Sequence, residues 1–226
     1  MEELPEELHV VTNAGRTILT KENIWQIYMP IHDKVTYSIH NALYNEVAAQ
    51  INTAGAKTVI DFGCETGKLA DFLTDVQLYL GIDHNRDTIR IAKQNRGTDK
   101  ILFFEGNALH PVLPDYVPRE FDVSTSLLEI YSAGPEQIPS MLQLTKPGGT
   151  TIIATMNQKW NVETLAERLA DETKDMLLQG IVTAQEWETY KACNTFIDQI
   201  ARQEQNGTHF YHFDDNELSK LISSHG

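Results

Sequence analysis

Val59-Ile60-Asp61-Phe62-Gly63-Cys64-Glu65-Thr66-Gly67 decides the fold. An apolar run breaks into a turn with glycine at two places, and Lys68-Leu69 then opens a helical pattern. Glycine lets the backbone turn sharply and keeps a Cβ out of a ligand's path. The carboxyl end of a strand, where the next helix begins, is where α/β sheets hold nucleotide-like ligands. Spacing separates the ligand classes. A P-loop needs four residues between its first Gly and a Gly-Lys pair, then Ser or Thr. Here Gly63 and Gly67 enclose three, and Leu69 stands where that hydroxyl would hold magnesium. A dinucleotide fingerprint needs G-x-G-x-x-G, but Glu65 stands where a second Gly would sit. A carboxylate there opposes a pyrophosphate and suits a cationic or zwitterionic ligand. An NAD-dependent enzyme is disfavoured for the same reason.

Working outward, residues 57–155 alternate in type. KTVIDF, VQLYLGID, ILFFEGN, FDVSTSLL and TTIIAT read as strands. GKLADFL reads as a helix start, and NRDTIRIAKQN and PEQIPSMLQLTKPGG read as helices, the last ended by Pro147-Gly148-Gly149. This rhythm predicts an α/β fold, a Rossmann-like, doubly wound, mostly parallel sheet. The strands are apolar almost throughout, as helices on both faces require. Before this core, residues 1–54 read as an N-terminal arm. It opens with a hairpin in ELHVVTNAGRTIL and contains a helix around ALYNEVAAQI. Residues 156–206 carry two successive helical patterns with no strand between them, a two-helix insertion of the kind that lids a pocket. In 207–226, THFYHF reads as a strand and DDNELSKLISSHG as a capped amphipathic helix. All four parts belong to one expected domain, 1–226.

Composition narrows the function. In 226 residues, 18 Lys and Arg face 32 Asp and Glu, a net charge of −14. A phosphate backbone would be repelled, so no nucleic-acid partner is expected. No stretch approaches the ~18 apolar residues of a membrane span. Cys64 and Cys193 are too few for a disulfide framework or a cysteine-built metal site, so no metal is expected. The acidic start MEELPEELHV is unlike a signal peptide, which makes the cytoplasm the expected compartment. A monomer or homodimer is expected.

A second signal stands 20 positions after Gly63: Asp83, in Leu80-Gly81-Ile82-Asp83-His84. An acid at about that distance accepts both hydroxyls of a ribose. Gly106-Asn107-Ala108 closes the third strand, and Phe121-Asp122-Val123-Ser124-Thr125-Ser126 forms the fourth. Taken in order, VIDFGCETG, YLGIDHN, FFEGNAL, FDVSTSLLEIY and LTKPGGTTIIAT resemble the motifs of the class I S-adenosylmethionine-dependent methyltransferases. The resemblance covers roughly residues 57–155.

That resemblance implies S-adenosyl-L-methionine as cofactor, with S-adenosyl-L-homocysteine as product. Asp61, Gly63, Cys64, Glu65 and Gly67 would cradle its methionine part. Asp83 would hold the ribose, His84 would flank the adenine, Asn107 and Ala108 would meet its edge, and Ser126 would sit near methionine and ribose. Glu65 replaces a common second Gly of the family, and Asn107 replaces its usual Asp, an exchange that keeps an acceptor for the adenine amino group. The resemblance implies a seven-stranded sheet, and the given sequence is expected to stop before its last two strands.

Methyl transfer from a sulfonium is an in-line displacement, helped by alignment and exclusion of water. A hydroxyl or ammonium acceptor also needs a base. In the family, the segment after the fourth strand and the N-terminal arm flank the methyl group. Glu129, Tyr131 and His32 are therefore the catalytic candidates, and Tyr28, Tyr37 and His40 the substrate-pocket candidates. Against these stand plainer readings: solvated histidines, packing tyrosines, a helix-capping Glu129, and Cys64 as a small apolar loop residue. The expected activity is methyl transfer to a small-molecule acceptor through oxygen, nitrogen or carbon. The alternatives are a protein- or tRNA-directed methyltransferase, or a cofactor-binding regulatory or partner protein without catalysis.

Overall fold

A computed structural model describes residues 8–12, 15–20, 23–35, 37–155, 171–204 and 214–225. Side chains are described over 18–20, 23–35, 40–130, 133–155, 171–197, 214 and 216–224. The chain forms two compact units, 1–41 with 161–208, and 42–160 with 209–226. The arm and the insertion expected from sequence thus gather into one unit. The boundary falls at Ala42 because α2 (Tyr37–Thr53) contributes Val47, Ala48 and Ile51 to the core of the second unit.

The second unit holds the βα rhythm. Its strands are β3 (Thr58–Phe62), β4 (Leu78–Asp83), β5 (Ile101–Glu105), β6 (Phe121–Leu127) and β7 (Thr145–Ala154). They pair in parallel in the order β5-β4-β3-β6-β7. The order reverses between β3 and β6, so the crevice of the sheet opens at the carboxyl ends of those two strands. Helix α3 (Arg86–Arg96) follows β4, and α4 (Ile130–Ala133) and α5 (Ile138–Leu144) follow β6.

Alternate residues of each strand face opposite ways. Val59, Tyr79 and Phe103 pack with α2 and α3 residues, including Ile51 and Ile89. Ile60, Phe62, Leu80 and Ile82 pack on the other face with Leu113, Val117 and Met141. Both faces are covered, which is why the strands carry no polar alternation. Asn85 caps α3, its side chain accepting from the amides of Asp87 and Thr88. Helix α8 (Asp215–His225) starts on a reciprocal pair, Asp214 and Glu217 each accepting from the other's amide.

Two expected helices differ. GKLADFL forms a short 3-10 helix, Lys68–Phe72, instead of a full α-helix. Asn52 on α2 ends it, donating to the carbonyl of Phe72 and accepting from the amide of Thr74. PEQIPSMLQLTKPGG stops being helical at Leu144. Thr145 hydrogen-bonds back to the carbonyl of Met141 and across to Ser124 on β6, which converts helix into strand. Pro147-Gly148-Gly149 consequently lies within an irregular start of β7, where the register jumps between Phe121↔Thr145 and Val123↔Thr150. THFYHF and the first half of the insertion fall outside the described residues.

In the first unit, β1 (Leu8–Thr12) and β2 (Gly15–Leu19) form the expected hairpin, in register Thr12↔Gly15. Helix α1 (Ile24–Val35) packs on α7 (Ala184–Glu204), and the described part of α6 covers 171–178. Thr183 and Glu186 cap α7 reciprocally, and Glu186 also pairs with Lys34 of α1 at 2.5 Å. Among the described residues, no helix is long and apolar enough to cross a membrane.

Candidate functional site

The Gly63–Gly67 turn leaves the end of β3 at the point where strand order reverses. The amides of Gly63 and Cys64 both donate to the carbonyl of Ile82, so the turn is tied to β4. Gly63, Glu65 and Gly67 take left-handed conformations, with φ 70°, 51° and 77°. Glycine accepts this without strain, whereas Glu65 incurs about 1–2 kcal/mol. The Glu65 amide donates to Asp83 Oδ2 at 2.9 Å, which holds the strained residue in place.

Packing explains part of the glycine pattern. A Cβ at Gly67 would stand 2.2 Å from the Phe103 ring. A Cβ at Gly81 would stand 2.6 Å from Cys64 Sγ and 2.7 Å from Phe103. A Cβ at Gly63 would meet Glu129 Cγ at 2.3 Å, so the Glu129 side chain lies directly against the turn. Glu129 reaches it because Leu128, just before it, is left-handed with φ 60°. Glu129 precedes α4 as its cap residue but makes no side-chain capping bond.

Asp83 is buried, 7% exposed. Its Oδ2 accepts from Glu65 and its Oδ1 from the Asn85 amide at 2.8 Å. Thr88 Oγ1 stands 3.5 Å from Oδ1 as well, and Oδ2 keeps a second lone pair for a ligand hydroxyl. His84 is exposed beside it, its Nδ1 3.8 Å from Asp83 Oδ1. Asp61 is buried on β3 and accepts from Tyr79 Oη at 2.6 Å and Thr125 Oγ1 at 2.7 Å. Burial lifts its carboxyl to about 6, against the lowering effect of those two bonds. Cys64 is buried and packs as a small apolar residue. Burial first, and then the charges of Asp61, Asp83 and Glu65, push its thiol well above the usual range.

Asn107 is exposed after β5, its Oδ1 accepting from the Leu109 amide, while Ala108 is buried in the core. Ser126, at the end of β6, is fully buried and donates to Gln137 Oε1 at 2.7 Å. Tyr131 lies in α4, and its side chain is outside the described residues, as is that of Tyr37.

His32, Tyr28 and His40 come together in the first unit. His32 Nδ1 lies 2.9 Å from Tyr28 Oη and 3.3 Å from Tyr190 Oη. Tyr28 stacks on Tyr190 at 5.3 Å, and the His40 ring meets His32 edge-on at 5.7 Å. The sequence reading missed Tyr190, whose place on a long helix resembles any packing tyrosine. It counted Thr66 within the cradling turn without a role of its own, and it missed Gln137. Thr66 Oγ1 and Gln137 Nε2 are buried and find no hydrogen-bond partner among the described residues. Thr66 had a signal, standing between the two glycines; Gln137 had none.

These residues fit a ligand that is partly cationic and carries a diol. Asp61, Glu65, Asp83 and Glu129 gather at the ends of β3, β4 and β6, where a pyrophosphate would be repelled. The orphaned Thr66 hydroxyl in the turn adds an unfilled polar group. Among the described residues, no group of three or more His, Cys, Asp or Glu is placed to hold a metal ion.

Comparison with known proteins gives the family. The methyltransferase-domain family matches residues 54–218. A fatty-acid O-methyltransferase of Mycolicibacterium smegmatis is 26% identical over 151 residues, 65% of this chain and 53% of that protein. A ubiquinone biosynthesis O-methyltransferase of Methylococcus capsulatus is 28% identical over 150 residues, 65% of this chain and 63% of that protein. The chain thus spans between about half and two thirds of the curated relatives it matches. The solved magnesium protoporphyrin IX methyltransferase of Synechocystis PCC 6803, with bound S-adenosylhomocysteine, has the same fold. Its TM-score is 0.55 at 15% identity, over 91% of this chain and 83% of that one. The strand order, the turn at its reversal point and the family match over most of the chain lead to one assignment: this chain belongs to the class I S-adenosylmethionine-dependent methyltransferases.

Proposed function

We propose that this chain transfers a methyl group from S-adenosylmethionine to a small-molecule acceptor. The observation that carries the reading is the tie between the Glu65 amide and Asp83, which joins the glycine turn to the acid 20 positions after Gly63. In this reading the Gly63–Gly67 turn with Asp61, Cys64 and Glu65 holds the methionine part. Asp83 receives the ribose, His84 flanks the adenine, and Asn107, Ala108 and Ser126 complete the pocket. When bound, the cofactor supplies an electrophilic methyl on a sulfonium. The two relatives' names, both of O-methyltransferases, favour an oxygen acceptor. A carboxylate would need no base, whereas a phenol or alcohol would pass its proton to one. Glu129, Tyr131 and His32 are the candidates for that role, with Tyr28, Tyr37 and His40 as acceptor-side residues. The acidic chain supports a small molecule over a nucleic acid.

Calorimetry with S-adenosylmethionine and S-adenosylhomocysteine, with NAD and ATP as controls, tests the cofactor. Asp83→Asn is a better variant than Asp83→Ala, since it keeps an oxygen to accept from the turn. Binding of the first two ligands alone, weakened about tenfold or more in Asp83→Asn, is the expected result. Equal binding of NAD, or none of any ligand, would overturn the reading. Methyl transfer to a panel of carboxylic acids, phenols and amines then identifies the acceptor class.

A further inference from the structure

Among the described residues, two of the three non-glycine positions with positive φ, Glu65 and Leu128, stand at the carboxyl ends of β3 and β6. Backbone strain gathers where function over-determines the chain. At Leu128 the strain has a visible product: the next side chain, Glu129, is turned back across Gly63. Leucine is among the residues that gain least from a left-handed backbone, so the turn is held by its surroundings. The Leu128 amide donates to the carbonyl of Ala154 on β7 at 2.8 Å, which fixes it. Asp61, Asp83 and Glu65, whose charges act on Cys64, stand around the same turn, with Lys68 at the head of the 3-10 helix and His84 exposed beside Asp83. Thr66 Oγ1, wholly buried in the same turn, has no partner among the described residues.

We propose that Glu129, aimed by Leu128 onto Gly63, reads the positive charge of the methyl donor, so that the site holds the sulfonium form more tightly than the thioether product. This rests on the reading of the turn as a methyl-donor site. It gives Glu129 a binding task beside the base role for which it is a candidate. Transfer breaks the sulfur–methyl bond and leaves its electron pair on sulfur, whose positive charge is thereby lost. The acceptor's lone pair forms the new bond to carbon, and its proton, where it has one, passes to a base or to water. A carboxylate beside the turn therefore attracts the donor before transfer and loses part of that attraction afterwards, which favours exchange of product for fresh donor.

Calorimetry on the whole chain tests this without an acceptor. The probes are S-adenosylmethionine, S-adenosylhomocysteine and sinefungin, in which a carbon-bound amine replaces the methylsulfonium. In the wild type the two cationic ligands should bind about tenfold more tightly than the neutral thioether. In Glu129→Gln that ratio should fall towards one, while affinity for S-adenosylhomocysteine stays within about threefold. A ratio unchanged by the substitution overturns the proposal. So does a wild-type ratio of one, or an equal loss of all three ligands in the variant, which would make Glu129 a prop for the turn. If the wild type binds none of the three, the methyl-donor reading itself fails, a result distinct from the others.

Discussion

Tyr79 on β4 donates its phenol to Asp61 on the adjacent strand β3 at 2.6 Å, inside a sheet covered on both faces. Thr125 on β6 donates to the other carboxylate oxygen at 2.7 Å, so three neighbouring strands meet at one acid beneath the glycine turn. Burial raises Asp61 from 3.8 to about 6 in spite of both bonds, with a smaller contribution from the charge of Asp83. The folded value lies above the unfolded one, so the native state holds the extra proton between them. The stability contribution is full below about 3.8 and is lost as pH rises through about 6. Between pH 7.5 and pH 5 the wild type should gain on the order of 1 kcal/mol relative to Asp61→Asn. Thermal or urea unfolding of both proteins across this range measures the difference. Parallel pH curves would show that Asp61 stays ionised in the fold.

Gly81 belongs to the core more than to any ligand. A Cβ there would press on Cys64 Sγ, Cys64 Cβ and the Phe103 ring, all at under 3 Å, the closest at 2.6 Å. Phe103 is 2% exposed and Cys64 6%, so neither has open space to move into. Gly81→Ala should cost about 1–3 kcal/mol through overpacking. Adding Phe103→Leu should recover part of it, a non-additivity that a double-mutant cycle detects. Simple additivity of the two would mean that the strand shifts instead of the side chains.

The α/β rhythm was legible because parallel strands buried on both faces leave unbroken apolar runs such as Val59–Phe62. Gly63, Gly67 and Asp83 were legible through spacing alone. The reasons beneath them were not. No property of the sequence announces that Phe103, 36 positions after Gly67, fills the room its missing Cβ leaves. Leu128 carries no turn chemistry, so the placement of Glu129 on Gly63 could not be foreseen. Thr145 read as part of a helix because its local neighbours are helical, whereas its hydroxyl contacts with Ser124 and Met141 are decided by the sheet.

Glu65 is the one non-glycine member of the left-handed set in the turn. Its conformation costs about 1–2 kcal/mol, and glycine would remove that cost while adding about 0.5–1 kcal/mol of chain entropy to the unfolded state. Glu65→Gly should therefore stabilise the protein by up to about 1 kcal/mol, because its amide still donates to Asp83. Glu65→Ala keeps the strain and should show no such gain. Chemical denaturation of the three proteins decides it, and a loss of stability in Glu65→Gly would mean that the Glu65 side chain itself supports the turn.

At the opposite end of the sheet, Asp122 fastens β6 to β3. One carboxylate oxygen accepts from the amides of Lys57 at 2.6 Å and Thr58 at 2.8 Å, and the Asp122 amide donates to Thr58 Oγ1 at 2.9 Å. Lys146, from the irregular start of β7, pairs with the other oxygen. Partial burial alone would raise this acid. The bonds from Lys146, Lys57 and Thr58 outweigh it and hold Asp122 at about 2. Here the folded value is depressed, so the stabilisation is present above about 3.8 and is lost as pH falls through about 2. Asp122→Ala should cost about 1–3 kcal/mol at neutral pH. The gap to the wild type should narrow as pH falls through that window. Since the clamp lies away from the glycine turn, the affinity of the folded variant for S-adenosylmethionine should stay within about twofold of the wild type. Unfolding curves at pH 7 and pH 3, together with calorimetry, test both halves. A tenfold loss of affinity would show that strand registration at the amino ends of β3 and β6 is transmitted to the turn.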